Sequence, residues 1–276
     1  MTSTTTRRRA AGNGLRLVVL LLTAAAILLP FYTMIVLAMR PRMALDFPAA
    51  LIPWPLSLEG FQSVLGDSQV LRWALNSIVY SAVSVVLVLF IATLAGYAFA
   101  KTRFRGREAV FWLMLAMLMV PSQVTLIPLF TMVAGAGGVN TYWGLILPTV
   151  ANVQIVYLMR QFIDGIPDEL LEAARMDGAS EWRILWTIVF PLTRPIQATS
   201  AIYIFLWHWN DFLWPLVIAK DPAMFTLNTG IASLQGMFVQ TNELMAAAVL
   251  AFLPILAVYL WGRRYLAENA TAAGIK

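Results

Sequence analysis

The sequence predicts an all-α integral membrane protein: six transmembrane helices, both termini cytoplasmic, and a long polar loop between helices 4 and 5. Three observations carry that expectation. The chain of 276 residues is 60% hydrophobic and 12% charged, with a mean hydropathy of +0.76, outside the range of soluble domains. Its apolar residues gather into six runs, at 16–39, 75–100, 109–132, 143–163, 196–219 and 244–262. A helix needs about 20 such residues to cross a bilayer, whereas β-barrel strands alternate over about 10. Finally, only Arg40, Arg42, Arg72 and Lys220 of the 19 basic residues fall on one set of alternate connections. The side holding the rest is therefore cytoplasmic.

The elements follow in order. Residues 1–15 form a short basic tail with Arg7, Arg8 and Arg9. The first run is too long for the apolar region of a secretory signal, about 7–15 residues, and continues past Pro30 as a retained helix. The external segment 40–72 opens Pro-rich, then places Leu58, Phe61, Val64 and Leu65 on one helical face, which suits a short helix in the interface or against a partner. After the second run comes the short basic link "KTRFRGRE", and after the third the small link "AGAGGVN". Trp73, Trp112, Trp143, Trp214 and Trp261 fall near span ends, where interfacial anchors are expected. Between residues 220 and 243, Leu227, Ile231 and Leu234 repeat at helical spacing, so a second short external helix is expected. The span domain 16–262 ends in a cytoplasmic tail, 263–276.

The connection 160–195 is the polar exception. In "GIPDELLEAARMDG", Pro167 suits the first helical position, and Asp168 and Glu169 complement the positive helix N-terminus. Gly178 fits the left-handed position that closes a helix. Ser180 can cap the next helix, "EWRILWTIVF", which meets Pro191. The expectation is a helix, a glycine turn and a second helix on the cytoplasmic face.

Several chemistries are excluded. No G-x-x-x-x-G-K-[ST] loop occurs, so the chain does not hold ATP by that device. There is no G-x-S-x-G or H-E-x-x-H, one histidine and no cysteine, which argues against an enzyme and against Cys-based metal sites. The net charge of +5 follows from the basic cytoplasmic side and needs no nucleic acid. Within the spans, His208 and Asp211 lie three residues apart on one helical face, with Asn210 beside them. Ionisable groups in a membrane cost several kcal/mol and mark pathways by default; hydrogen bonding to a neighbouring helix would make the same residues packing elements instead. Both readings stand. Pro121, Pro128, Pro148, Pro215 and Pro254 interrupt spans, as in transporters, but also wherever neighbours satisfy the backbone.

The order Glu172-Ala173-Ala174, three residues, Gly178, nine residues, Ile188, one residue, then Phe190-Pro191 resembles the EAA signature of ABC importer permeases, with Phe190 where the family usually has Leu. The stretches "LPFYTMIVLAMRP", "LNSIVYS", "GYAFAKTRFRGRE", "MVPSQVTLIPLF", "VNTYWGLILP", "WNDFLWPL" and "RRYLAENATAAGIK" are similar to the smaller, six-helix permease of the maltose-type carbohydrate branch.

That resemblance implies a multi-pass protein of a bacterial-type cytoplasmic membrane, surrounded by lipid and paired with a second, related permease as a heterodimer. Two copies of a cytoplasmic ATPase would grip the loop as a coupling helix through Glu172, Ala173, Ala174 and Gly178, with the tail ending in Gly274-Ile275-Lys276 nearby. ATP and Mg would be used by the ATPase, with no cofactor bound by this chain. An extracytoplasmic solute-binding protein would deliver a sugar. Glycerol phosphate or a polyamine are alternative solutes, and a proton-coupled secondary transporter using His208 and Asp211 is the alternative from another class. On this reading Glu172 makes a charge-assisted contact to the ATPase, or to a basic group near it, and Glu181 serves as its control.

Overall fold

A computed structural model of the protein describes the backbone of residues 3–41, 48, 51–52, 54–234 and 240–273, and side chains within 16–263. Helices alone build it; no strand occurs among the described residues. In chain order these are α1 (Ser3–Ala38), α2 (Glu59–Gly66), α3 (Ser68–Lys101), α4 (Arg107–Ala116), α5 (Ser122–Gly135), α6 (Tyr142–Ile146), α7 (Val153–Asp164), α8 (Asp168–Met176), α9 (Glu181–Ile184), α10 (Phe190–Leu192), α11 (Arg194–Asn210), α12 (Leu213–Ile218), α13 (Leu227–Leu234) and α14 (Thr241–Ala273). Most of the Pro-rich stretch after Pro41 and the closing Gly274-Ile275-Lys276 lie outside the described residues.

Three uninterrupted segments are long and apolar enough to cross a membrane: Arg16–Ala38, Ser68–Lys101 and Thr241–Arg263. The remaining expected runs are broken, two of them at or beside a proline that lacks the helical donor. Pro121 stands in extended conformation between Arg107–Met119 and Ser122–Gly135, which meet at 104°. Pro148 lies in a 3₁₀ turn, Leu147–Thr149, and the pair Tyr142–Thr149 and Val153–Asp164 bends by 48°. Restarts are capped: Thr141 Oγ1 accepts from Gly144 N at 3.1 Å, and Asn152 Oδ1 from Ile155 N at 3.1 Å. The run 196–219 divides between α11 and α12, with Asp211 in extended conformation at the break.

The chain forms two compact units. The first comprises residues of Met1–Asp67 and Ser233–Phe252. In it Arg40, almost wholly buried, donates to the carbonyls of Ile52 and Trp54. Asn242 Nδ2 donates to Arg40 O at 3.1 Å, and Gly60 packs on the Asn242 backbone too closely for a Cβ. The expected apolar face of α2 is split: Val64 is buried while Leu58 and Leu65 are exposed.

The second unit comprises residues of Ser68–Ala232 and Leu253–Lys276. Its core is α3 lying against α7 and α11, with Tyr80, Val88, Ile155, Met159, Ile163 and Ile204 fully buried. Gly96 makes the α3–α7 approach possible, since a Cβ there would sit 2.7 Å from Met159 Cβ and 3.0 Å from Arg160 N. Two tryptophans expected at the interface belong to this core. Trp73 is buried and donates to Pro222 O at 2.8 Å; Trp214 is buried and donates to Leu145 O at 3.0 Å. Their indole N–H groups found backbone acceptors, which removed the reason to seek the headgroup region. Trp112, Trp143 and Trp261 are exposed. The expected short helix near residue 227 is α13, its first turn fixed by a 2.8 Å hydrogen bond from Leu227 N to Ser77 Oγ.

Candidate functional site

The polar loop is an ordered elbow. Pro167, extended, immediately precedes α8 rather than opening it, and Asp168 and Glu169 fill the first turn. The far end closes on Gly178 with φ +81°. Ala179 N donates to Ala174 O and Gly178 N to Arg175 O, both at 3.0 Å. That crossed pair is the Schellman closure, and it requires the left-handed residue where glycine stands. Ser180 then caps α9 by accepting from Arg183 N at 3.3 Å.

The second arm does not stop at Pro191. Between α9 and α10 the backbone widens to a π turn over Leu185–Val189, where Phe190 N donates to Leu185 O. The wider turn accommodates the proline that an α-helix would exclude, and such π segments recur at functional sites. Trp182 and Trp186 stack along this arm with centroids 6.4 Å apart, both substantially exposed.

The C-terminal end of α3 grips both arms. Lys101 Nζ donates to Asp168 Oδ1 and Ile166 O at 2.6 Å each, and to Asp164 O at 3.2 Å. The lysine holds the Asp168 carboxyl below its ordinary pKa, first by that hydrogen bond and then by its charge. Tyr97 donates its phenolic hydrogen to Glu181 Oε2, and Arg175 Nε donates to Glu181 Oε1 at 2.8 Å. Arg175, then Tyr97, hold Glu181 below the usual carboxylate range. Glu181 is thus no neutral control for Glu172 but the tie between α8, α9 and α3. Nothing in local periodicity marked Tyr97 or Lys101 for this, because their partners lie more than 60 residues away.

The elbow has an inner and an outer face. Leu171 is fully buried, and Ala174 packs against the core. Leu170, Glu172, Ala173 and Met176 are exposed, Met176 at 89%. Glu172 has no hydrogen bond or ion pair among the described residues. An exposed methionine, an exposed carboxylate and the helix-closing glycine therefore lie close together along this outer face.

The second group of candidates separates. His208 is buried, with Nδ1 2.9 Å from Ile204 O and Nε2 3.1 Å from Thr149 Oγ1, and its ring meets Tyr80 edge-on at 5.0 Å. Asp211 is half-buried and accepts from the Tyr80 hydroxyl at 2.8 Å. Asn210 is exposed, donating to Leu206 O at 2.7 Å. Tyr80 on α3 therefore touches both ionisable residues. Beyond Ile204 on the same helix, their side-chain partners come from α3 and the α6–α7 connection, not from each other. No group of three or more His, Cys, Asp or Glu that could hold a metal occurs among the described residues.

The described residues thus form an all-helical fold, with three segments long and apolar enough to cross a membrane and a polar elbow whose outer face is exposed. The chain belongs to the family of the binding-protein-dependent transport system inner membrane component, whose model matches residues 89–271. It is a multi-pass component of an ABC importer of the cytoplasmic membrane.

Among its relatives is the arabinooligosaccharides transport system permease protein AraQ of Bacillus subtilis (strain 168), 32% identical over 256 residues and covering 90% of each chain. The sn-glycerol-3-phosphate transport system permease protein UgpE of Yersinia enterocolitica is 34% identical over 253 residues, covering 88% of this chain and 90% of the relative. In fold, the chain is similar to one in the crystal structure of a bacterial ABC transporter involved in the import of the acidic polysaccharide alginate. That match has a TM-score of 0.84 at 23% identity, over 96% of this chain and 99% of the other.

Proposed function

We propose that this chain forms half of the translocation pathway of a carbohydrate importer, paired with a second, related permease. Six spans place both termini in the cytoplasm, with each bent helix pair and the α11–α12 pair counted as one crossing. Two copies of a cytoplasmic ATPase dock on the elbow, using ATP and Mg, and an extracytoplasmic solute-binding protein delivers the sugar. Closure of the ATPases moves the elbow and switches the pathway from inward-open to outward-open.

The observation that carries this reading is the elbow's division of labour. Its inner face is tied to α3 by Lys101 and the Tyr97–Glu181–Arg175 cluster, while Glu172, Ala173 and Met176 face outward. Force applied to the outer face reaches α3, and α3 carries Tyr80, which touches Asp211 and His208. The carbohydrate assignment draws on the arabinooligosaccharide relative and the alginate-importer fold; glycerol phosphate, suggested by the second relative, is the alternative solute.

The test is reconstitution of the complex in liposomes with its binding protein. Import should require internal ATP and binding protein together, and sugar-loaded binding protein should stimulate ATP hydrolysis. Within that assay Glu172→Ala should lower the ATPase retained by the complex, while Glu169→Ala, equally exposed, leaves it unchanged. Import sustained by a proton gradient without ATP would instead support a secondary transporter.

A further inference from the structure

The link joining α3 to α4 holds more positive charge than its own contacts consume. Lys101 is engaged by Asp168 and two carbonyls. Arg107 donates to Thr102 O at 3.0 Å and to Glu108 Oε1 at 3.2 Å. Arg160 closes on the same carboxylate at 2.9 Å, its guanidinium 3.7 Å from the Phe111 ring centroid. One carboxylate therefore answers two guanidinium groups. Arg103 and Arg105 are exposed and make no hydrogen bond or ion pair among the described residues. Asp168, the carboxylate that feels Arg103, is already held by Lys101.

This surplus charge borders an open pocket of about 430 Å³ lined by Arg103, Phe104, Gly106, Arg107, Glu108 and Ala109. Arginine is the residue suited to phosphate, because its planar fork offers several donors at fixed geometry. Immediately beyond the pocket the surface turns apolar: Phe104, Val110, Trp112 and Leu113 are all exposed. A soluble anion would use only the first half of this surface. An acidic protein segment would use the charge but gain little from an apolar face that runs on into a membrane-crossing helix. A molecule with an anionic head and a hydrocarbon body matches both halves.

We propose that this pocket binds the phosphate headgroup of an anionic phospholipid, with its acyl chains along the exposed face of α4. The site is independent of the solute's identity and of the elbow's coupling role.

The test uses the whole detergent-solubilised complex, compared with an Arg103→Gln, Arg105→Gln variant whose side chains hold no fold-maintaining contact. Native mass spectrometry and thermal unfolding are followed while phosphatidylglycerol, phosphatidylcholine or sodium phosphate is added. Phosphatidylglycerol should be retained and raise the unfolding temperature of the natural complex, whereas phosphatidylcholine and phosphate should not. The double variant should bind phosphatidylglycerol roughly 30-fold more weakly, about 1 kcal/mol for each arginine. Arg103→Lys, Arg105→Lys should restore part of that loss.

Three results would overturn the proposal. Equal phosphatidylglycerol binding by the glutamine variant removes the arginines from the site. An equal effect of sodium phosphate makes it a soluble-anion site. Loss of the ATPase from the glutamine variant, with lipid binding intact, makes the patch a protein interface.

Discussion

The Tyr97 hydroxyl donates a hydrogen bond to the Glu181 carboxylate, joining the C-terminal end of α3 to the second arm of an elbow 84 residues further along the chain. Arg175, on the first arm, closes on the same carboxylate. Removing the hydroxyl in Tyr97→Phe leaves the ring's packing and deletes one charge-assisted hydrogen bond, a loss of about 1 kcal/mol at this partly exposed site. Amide exchange at Gly178 and Ala179 should accelerate about fivefold if the elbow opens locally. Unchanged exchange would mean that Arg175 alone holds the arms together.

The same cluster gives the elbow a pH signature. Glu181 has its folded pKa lowered, chiefly by Arg175 and next by Tyr97, so its stabilisation is complete above the unfolded value of about 4.3. It is lost as pH falls through the lower folded value. Elbow stability should be flat from neutral pH down to about 5 and decline below it. In Arg175→Gln the folded value rises towards the unfolded one, with only Tyr97 still lowering it, so the elbow is weaker at neutral pH and its acid slope shrinks. Exchange rates of α9 amides between about pH 3 and 6 measure this. An unchanged slope in the variant would contradict the assignment.

Gly178 separates backbone strain from crowding. Its φ is +81°, yet a Cβ added there meets nothing within 4 Å. Any side chain therefore incurs mainly the left-handed penalty, about 1–2 kcal/mol for ordinary residues and less for asparagine. Gly178→Val should leave the protein inserted but impair sugar-stimulated ATP hydrolysis, and Gly178→Asn should retain most of it. Equal impairment by both would point to steric blockage of a docked partner rather than to the turn.

Much of this elbow was legible in sequence because its signals are local. A proline, two acidic residues, a glycine and a serine at fixed offsets define two helices and the turn between them, and Gly178 and Ser180 hold those positions. The continuation through Pro191 was not legible, since a π turn has no strong residue signature. The apolar runs were legible in composition, but the 104° break at Pro121 was not, because proline can also sit inside a helix, as Pro128 and Pro254 do. Trp73 and Trp214 show the same limit: tryptophan suits both an interface and a core, and only the acceptors on Pro222 and Leu145 decide. For Asp211, a hydrogen-bonding neighbour was foreseeable in kind, but Tyr80, 131 residues distant, was not.

The chain contains no cysteine, so single cysteines report accessibility cleanly. With a membrane-impermeant thiol reagent, position 210 should label readily and 211 more slowly, while 208 stays unreactive in the resting complex, following their exposed, half-buried and buried states. If α11 lines the solute path, labelling at 210 and 211 should change when ATP binds and slow when sugar is present. Labelling indifferent to both would make the group packing elements between helices.

If the outer face of the elbow is where this chain meets its ATPase, Met176 is the residue placed to report it. Its side chain is 89% exposed, at the end of α8 beside Gly178, whereas Leu171 on the same helix is fully buried. A single cysteine at position 176, in the intact complex, should cross-link to the ATPase through a short bifunctional reagent, and one at 171 should not. The 176 cross-link should also change in yield between ATP-bound and nucleotide-free states. A complex in which the ATPase copurifies fully, yet position 176 never links to it in either state, would contradict the account.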